Sequence, residues 1–304
     1  MIVIDILIVN YNCAGPLQNL LKTLTAPPTS FQTKRLLFHI TVVDNCSTDG
    51  SAGMIENQFP TVHVIQRPEN EGYSAAVNEG LASTKGSEIL LLNSDVLIKP
   101  ETIAQLRRIW ERLDFPAIVA PLHLEEDDFP QLTWGFYPTP KVEARRRRLD
   151  RALANRETWA KKAVLAECCR TRKVDWVSGS CMFFPRSAAK EIGPWDQNFF
   201  LFFEDIDWCL RAKEKGMDVY HTAEARIMHL HGASVDQDPD FAEIEYRRSQ
   251  CYFTKKYFGS LRLLQLRFFL TFKFMGRWLI GGRSGFDRST SWECFREVWR
   301  STGA

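Results

Sequence analysis

The stretch IDILIVNYN, residues 4–12, decides the fold. Side chains of a strand alternate between two faces; Ile4, Ile6 and Ile8 take one, Leu7 and Val9 the other. A strand apolar on both faces belongs in a sheet covered on both sides, as parallel sheets flanked by helices are. Asp5 interrupts the apolar run and no basic segment precedes it, so the expectation is a strand and not a secretion signal.

Outward from this strand, the pattern repeats. A helix is expected from Pro16 to about Leu24, then a strand in HITVVDN (39–45) and a turn and helix through STDGSAGMIENQF (47–59). VHVIQR (62–67) is a third strand, GYSAAVNEGLAST (72–84) a helix, SEILLLNSDV (87–96) a fourth strand, and Glu101–Leu113 a helix. Ligands of such sheets bind beyond the carboxyl ends of the strands. The polar residues fall there: Asn10, Tyr11 and Asn12, then Asp44 and Asn45, Arg67 to Asn70, and Asn93 to Asp95. From Pro121 the pattern loosens: 123–140 reads as loop and 141–173 as a basic helix or insert. VDWVSGSCMFFPR (174–186) restores strand character, and everything after Asp240 reads as helix.

The chain has 304 residues, 45% hydrophobic and 25% charged, which suits one large domain or two small ones. Its net charge of +2 is unevenly spread: residues 247–300 hold 12 Lys/Arg against 3 Asp/Glu. That asymmetry points to an anionic partner for the C-terminal end. Eight cysteines, none in a CxxC pair, argue against a zinc ribbon and read as reduced, mostly buried thiols of a cytosolic protein. Neither GxGxxG nor GxxxxGK[ST] occurs, which argues against Rossmann and P-loop chemistry.

Two groups of acids stand out. Asn93, Ser94 and Asp95 emerge from an apolar strand; they are turn formers, yet a carboxylate there can also hold a divalent cation beside a diphosphate. In QNFFLFFEDIDWCLRAKEKG (197–216), five apolar residues, Phe199 to Phe203, run directly into Glu204, Asp205 and Asp207. Acids in a first turn favour a helix start, with Asp207 and Arg211 at i,i+4 and Gly216 as the stop. A carboxylate at the lip of an apolar wall can equally act as a base.

The ordered set IVNYN (8–12), VVDNCSTDG (42–50), PENEGYSAAVNEG (68–80), LLLNSDV (90–96), DWVSGSCMFFPR (175–186), GPWDQNFFLFFEDIDWCLRAKEKG (193–216) and HLHGAS (229–234) resembles family 2 glycosyltransferases, most closely the bacterial rhamnosyltransferase-like branch. The resemblance spans roughly residues 1–235. It implies the α/β GT-A fold: a mixed, mostly parallel central sheet flanked by helices, here with a C-terminal helical extension. It implies a glycosyltransferase domain over 1–240, with a nucleotide-binding half (1–115) and an acceptor-binding half (116–240), followed by a basic amphipathic helical region (241–304).

What the resemblance implies is an inverting, metal-dependent transfer from a nucleoside-diphosphate sugar to a glycan or lipid-linked acceptor in cell-envelope polysaccharide synthesis, with rhamnose the nearest sugar. Tyr11 matches the aromatic that stacks on the base, with Val9 offering backbone contacts, Asp44 the acid that reads base or ribose, and Asn70 a loop residue near the nucleotide. NSD stands where the family often has DxD, so Asp95 is the expected ligand of Mn²⁺ or Mg²⁺ and Asn93 replaces the first acid. His229, five residues before Ser234, matches a metal-binding histidine, with His231 as the fallback. Asp205 matches the base and Glu204 an acceptor-hydroxyl contact. Trp176 and Gly179 match a segment beneath donor and acceptor, although Trp176 also suits a core. Asp207 is left to the helix start.

The segment Leu261–Gly282 is apolar but broken by Arg262, Arg267, Lys273 and Arg277, so it suits an anionic membrane surface better than a span; a packing helix or homodimer contact is the plain alternative. That places the chain peripherally on the inner face of the cytoplasmic membrane. A nucleic-acid-binding protein using the basic stretches, or a sugar-nucleotide binder without transfer activity, are the competing functions. Near-neutral charge and the absence of a helix-turn-helix, RRM or zinc-finger pattern speak against nucleic acid.

Overall fold

The computed structural model describes residues 2–27, 36–113, 117–168, 170–230, 238–280 and 288–300. Strand β1 (Ile2–Asn10) lies between two parallel neighbours, β2 (Leu36–Asp44) and β4 (Glu88–Asn93), with β3 (His63–Gln66) parallel on the far side of β2. Helices α1 (Ala14–Thr25), α2 (Ser51–Gln58) and α3 (Tyr73–Ser83) make the connections. The two parities of β1 part as expected. Ile4, Ile6 and Ile8 join Leu17, Leu20 and Leu21 of α1 in one apolar layer. Leu7 and Val9 join Ala76 and Val77 of α3 in the other. Asp5, buried on the second face, is satisfied by the Lys85 N–H at 2.7 Å, the Gly86 N–H and Arg186 at 3.2 Å.

The other half is mixed. After the short β5 (Val96–Leu97) and α4 (Pro100–Trp110) come β6 (Ala117–Leu124) and β7 (Trp134–Gly135), then α5 (Pro140–Ala154) and α6 (Thr158–Glu167). Next are β8 (Arg172–Val174), β9 (Trp176–Val177), β10 (Cys181–Pro185), α7 (Arg186–Ile192), α8 (Glu204–Glu214) and β11 (Asp218–His229). The main sheet runs β3-β2-β1-β4-β10-β6-β11-β5, with β8 on β11, while β7 and β9 pair separately. β10 is antiparallel to both β4 and β6, and β6 is parallel to β11. The acidic run after His123 hid β6, which is buried from Ala117 to His123.

Two helices close the chain: α9 (Pro239–Ile280), kinked at Gly259 where φ is 77°, and α10 (Arg288–Arg300). The first part of α9 caps the aromatic run 199–203. Tyr252 packs 4.8 Å from Phe199, Phe253 5.2 Å from Phe203, and Tyr246 5.5 Å from Phe202, while the Ser249 hydroxyl donates to the Leu201 carbonyl at 2.7 Å. The run is therefore a socket for α9. Asp207, fully buried, holds the same junction: it accepts from Arg211 Nε at 2.9 Å, Lys256 Nζ at 2.5 Å and the Tyr257 hydroxyl at 2.8 Å. The helix start with Arg211 was expected; the two partners on α9 were not.

Beyond the kink, Leu263, Leu270 and Phe274 pack with Cys294 and Val298 of α10. The opposite stripe is left open: Leu261 is 71% and Phe272 73% exposed, with Leu264, Phe268 and Met275 also exposed along the same line. No helix among the described residues is long and apolar enough to cross a membrane.

Candidate active site

Four strands end level with one another, pairing Asn10 with Asp44, Val9 with Asn93, and Asp44 with Gln66. On the β2 side of this rim, buried Asp44 accepts from Asn10 Nδ2 at 2.8 Å and from the Ser47 N–H at 3.0 Å. The Ser47 hydroxyl in turn accepts the Asn12 N–H at 2.9 Å, so the carboxylate braces the turn that presents Tyr11, whose ring is 37% exposed. The Val9 side chain is in the core, which leaves only its main chain at the rim. Asn70 Oδ1 accepts from Asn45 Nδ2 at 2.6 Å and from the Gly72 N–H at 3.0 Å, tying two loops together. Arg67 locks the same loops through Asn45 at 2.9 Å and Glu79 at 2.8 Å.

At the centre of the rim, Asp95 follows β4, and His229 ends β11, the strand that pairs with β5. His229 Nε2 lies 3.2 Å from Asp95 Oδ1. Two positions before Asp95, the Asn93 side-chain oxygen is buried with no hydrogen-bond partner. A carboxylate in contact with an imidazole nitrogen suits a divalent cation such as Mn²⁺ or Mg²⁺. No group of three or more His, Cys, Asp or Glu suited to a metal forms among the described residues, so other oxygens, those of a diphosphate and water, would complete the shell. His231 and Ser234 lie outside the described residues.

The base candidate is linked to this centre through hydrogen bonds, a peptide step and a ring contact. Asp205 Oδ2 accepts the Gly179 N–H at 3.1 Å, and Oδ1 accepts the Ile206 N–H at 2.7 Å. The next residue, Ser180, accepts the Asn93 N–H through its carbonyl at 3.0 Å and meets His123 Nε2 through its hydroxyl at 2.9 Å. The His123 ring packs edge-on against His229 at 5.6 Å. Tyr73 sits among the acids: its hydroxyl donates to the Gly179 carbonyl at 3.0 Å. Burial, then the charges of Glu204, Asp205 and Asp95, hold that phenol well above its usual range, so it stays a donor.

The local backbone is forced into this shape. Phe202 and Phe203 both have φ of 68°, a left-handed conformation unusual for aromatics, immediately before Glu204. The loop is pinned from the other side, where the Tyr73 N–H donates to the Phe200 carbonyl at 2.8 Å. Gly72, at φ 91°, makes room for this: a Cβ there would lie 2.5 Å from that oxygen. Strain of this kind collects at functional sites, where surrounding structure over-determines it.

The environments of the two adjacent carboxyls differ. Burial, then the charge of Asp205, push Glu204 well above the usual carboxylate range, and its buried Oε2 has no partner. Burial also raises Asp205, but the Gly179 and Ile206 N–H groups and the Arg146 charge pull the other way. Both carboxyls are raised, Glu204 the more, so a proton shared between them favours Glu204 and the charge favours Asp205.

Four neighbours escaped the sequence reading: Tyr73, His123, Gln131 and Arg146. Arg146 is one of four consecutive arginines, and nothing in that run marks which one turns inward. Its guanidinium lies 4.3 Å over the Trp176 ring and donates to the Leu132 carbonyl at 3.1 Å. Of the two expectations for Trp176, this favours the core. With Arg146 over one face and Gly135 against its edge, the ring is 5% exposed and fills the core, so no sugar stacks on it.

The family model described as glycosyl transferase family 2 matches residues 5–193. A low-salt glycan biosynthesis hexosyltransferase, Agl10, of Haloferax volcanii is 26% identical over 239 residues, covering 77% of this chain and 68% of its own. N-acetylglucosaminyl-diphospho-decaprenol L-rhamnosyltransferase of Mycobacterium tuberculosis is 25% identical over 266 residues, covering 78% of this chain and 79% of its own. Among solved structures, a mannosyltransferase from Pyrobaculum calidifontis in complex with GDP-Man and Mn²⁺ superposes with a TM-score of 0.55 at 15% identity, over 84% of this chain and 64% of that one. GalNAc-T7 with UDP, GalNAc and Mn²⁺ gives 0.54 at 14% identity, over 84% and 51%. The shared fold is the GT-A glycosyltransferase fold.

Proposed function

This chain belongs to glycosyl transferase family 2 and is a glycosyltransferase of glycan or cell-envelope synthesis; we propose that it moves a sugar, with inversion and with the help of a divalent cation, from a nucleoside diphosphate to a hydroxyl of a glycan or lipid-linked acceptor. Rhamnose is the sugar we put first, on the likeness to the mycobacterial rhamnosyltransferase.

Asp205 is the base in this reading. It accepts the acceptor hydroxyl's proton as that oxygen bonds to the anomeric carbon, and the carbon–oxygen bond to the diphosphate breaks on the opposite face. The observation that supports the reading is the series of contacts linking the two groups: Asp205 to the Gly179 N–H, the neighbouring Ser180 to Asn93 and His123, and His229 to Asp95. Glu204 contacts an acceptor hydroxyl. Tyr11 stacks on the base, Asp44 and Asn70 set the shape of the nucleotide loops, and Gly179 lines the acceptor side. Asp95 and His229 hold the cation, with Asn93 beside them. When bound, the cation neutralises charge on the departing diphosphate.

The open stripe on α9 goes with attachment to an anionic membrane surface, because the apolar line is set in a segment that carries a fourfold excess of basic over acidic residues. A screen of dTDP-, UDP- and GDP-sugars for thermal stabilisation, with and without Mn²⁺, tests donor and cation together. The proposal expects one nucleotide class to stabilise the chain only with metal. Stabilisation by none, or equally without metal, would oppose it.

A further inference from the structure

Gln131, between β6 and β7, grips His229 at two points. Its Nε2 donates to the His229 carbonyl at 3.1 Å, and its Oε1 lies 2.8 Å from ring Nδ1. Both side chains are buried, and the grip is anchored by the Gln131 N–H donating to the His123 carbonyl at 3.0 Å. We propose that Gln131 is a positioning residue that selects the His229 tautomer and aims its Nε2 at the cation.

The logic follows from donor and acceptor chemistry alone. A main-chain carbonyl only accepts, so the end of the amide facing the His229 oxygen must be the NH₂. The other end is then an oxygen, which also only accepts. Nδ1 must therefore carry the hydrogen, so Nε2 is the nitrogen that offers its lone pair once a cation stands between it and Asp95. Nε2 is the atom that lies 3.2 Å from Asp95 Oδ1. Histidines that bind metals generally donate their other ring N–H to a carbonyl or carboxylate, which fixes both orientation and tautomer. A glutamine does this without adding charge. The main-chain oxygen of His229 thus orients the amide that orients the His229 ring.

This inference rests on the cation reading, so its test separates the two. Free Mn²⁺ is measured by electron paramagnetic resonance in titrations of the full chain with dTDP, UDP or GDP present. Wild type is compared with Gln131→Met, Gln131→Glu and His229→Ala, after unfolding curves confirm that each variant folds. Gln131→Met is expected to weaken Mn²⁺ binding by about 10–100-fold, while Gln131→Glu, which keeps an acceptor for Nδ1–H but loses the donor to the His229 carbonyl, is expected to lose less than Gln131→Met. In wild type labelled with ¹⁵N-histidine and loaded with diamagnetic Mg²⁺ and nucleotide, long-range ¹H–¹⁵N spectra are expected to show His229 protonated at Nδ1 and not at Nε2. Wild-type Mn²⁺ affinity in Gln131→Met beside a weakened His229→Ala would overturn the role of Gln131 and leave the cation site standing. Equal losses in Gln131→Met and Gln131→Glu would also overturn it, as would an Nε2–H tautomer in the loaded wild type. Unchanged affinity in His229→Ala would instead remove His229 from the cation site, and the inference with it.

Discussion

Glu204 and Asp205 are neighbours in sequence, yet their surroundings ask opposite things of them. The fold raises the proton affinity of Glu204, so the folded state holds a proton that the unfolded chain gives up. Such a group loses stability as pH climbs from its unfolded value through its folded one. Glu204→Gln is therefore expected to raise the melting temperature by a few degrees at neutral and alkaline pH. The gain should vanish in acid, where both side chains are neutral, and melting curves across pH check it. Asp205 must be ionised to act, and Arg146 helps to keep it so. Arg146→Gln is expected to move the acid limb of the kcat/KM profile to higher pH, because removing the positive charge favours the protonated carboxyl; an unmoved limb would separate Arg146 from the base. The sequence alone suggested Asp205 as an acid behind an apolar run, but its selection over Glu204 and Asp207 came from the resemblance. Nothing short of three-dimensional contacts could show that Gly179 and Arg146 attend one carboxylate, while Asp207 is consumed by Arg211, Lys256 and Tyr257.

Among the elements, α9 is the one whose docking bears most directly on the site. Its aromatic residues fill the socket formed by Phe199 to Phe203, the segment whose strained backbone presents Glu204 and Asp205. Asp207 fastens that contact. Asp207→Ala leaves Arg211 and Lys256 without their buried carboxylate, and since both cations are partly exposed the cost should fall at or below the ~3–5 kcal/mol of a broken buried pair. Chemical denaturation measures the loss, and proteolysis should now cut within α9 first. The parallel strands β1 to β4 were legible because their apolar runs are long and each is followed by a helix. β6 was not, since only its first half is uniformly apolar and an acidic turn follows. β7 and β9, two residues each, owe their existence to pairing with one another, which no local pattern encodes.

For the whole molecule, the uneven charge and the open stripe of α9 combine into one surface. Replacing Leu261, Phe268 and Phe272 together by Ser should abolish flotation with anionic vesicles and leave the melting temperature within a few degrees, because these side chains are already exposed. Retained flotation would assign the stripe to another partner. The fold class and the polar rim were readable from the first hundred residues, because a parallel sheet forces its loops to the carboxyl ends of its strands. The joining of that rim to Asp205 was not, since it runs through Gly179, Ser180 and His123 on an antiparallel insertion. The most direct measurement is single-turnover sugar transfer by Asp205→Asn beside its binding of Mn²⁺ and nucleotide. We predict transfer reduced by about 10²–10⁴-fold with metal and nucleotide binding retained. Transfer at the wild-type rate would contradict the assignment of Asp205 as the base.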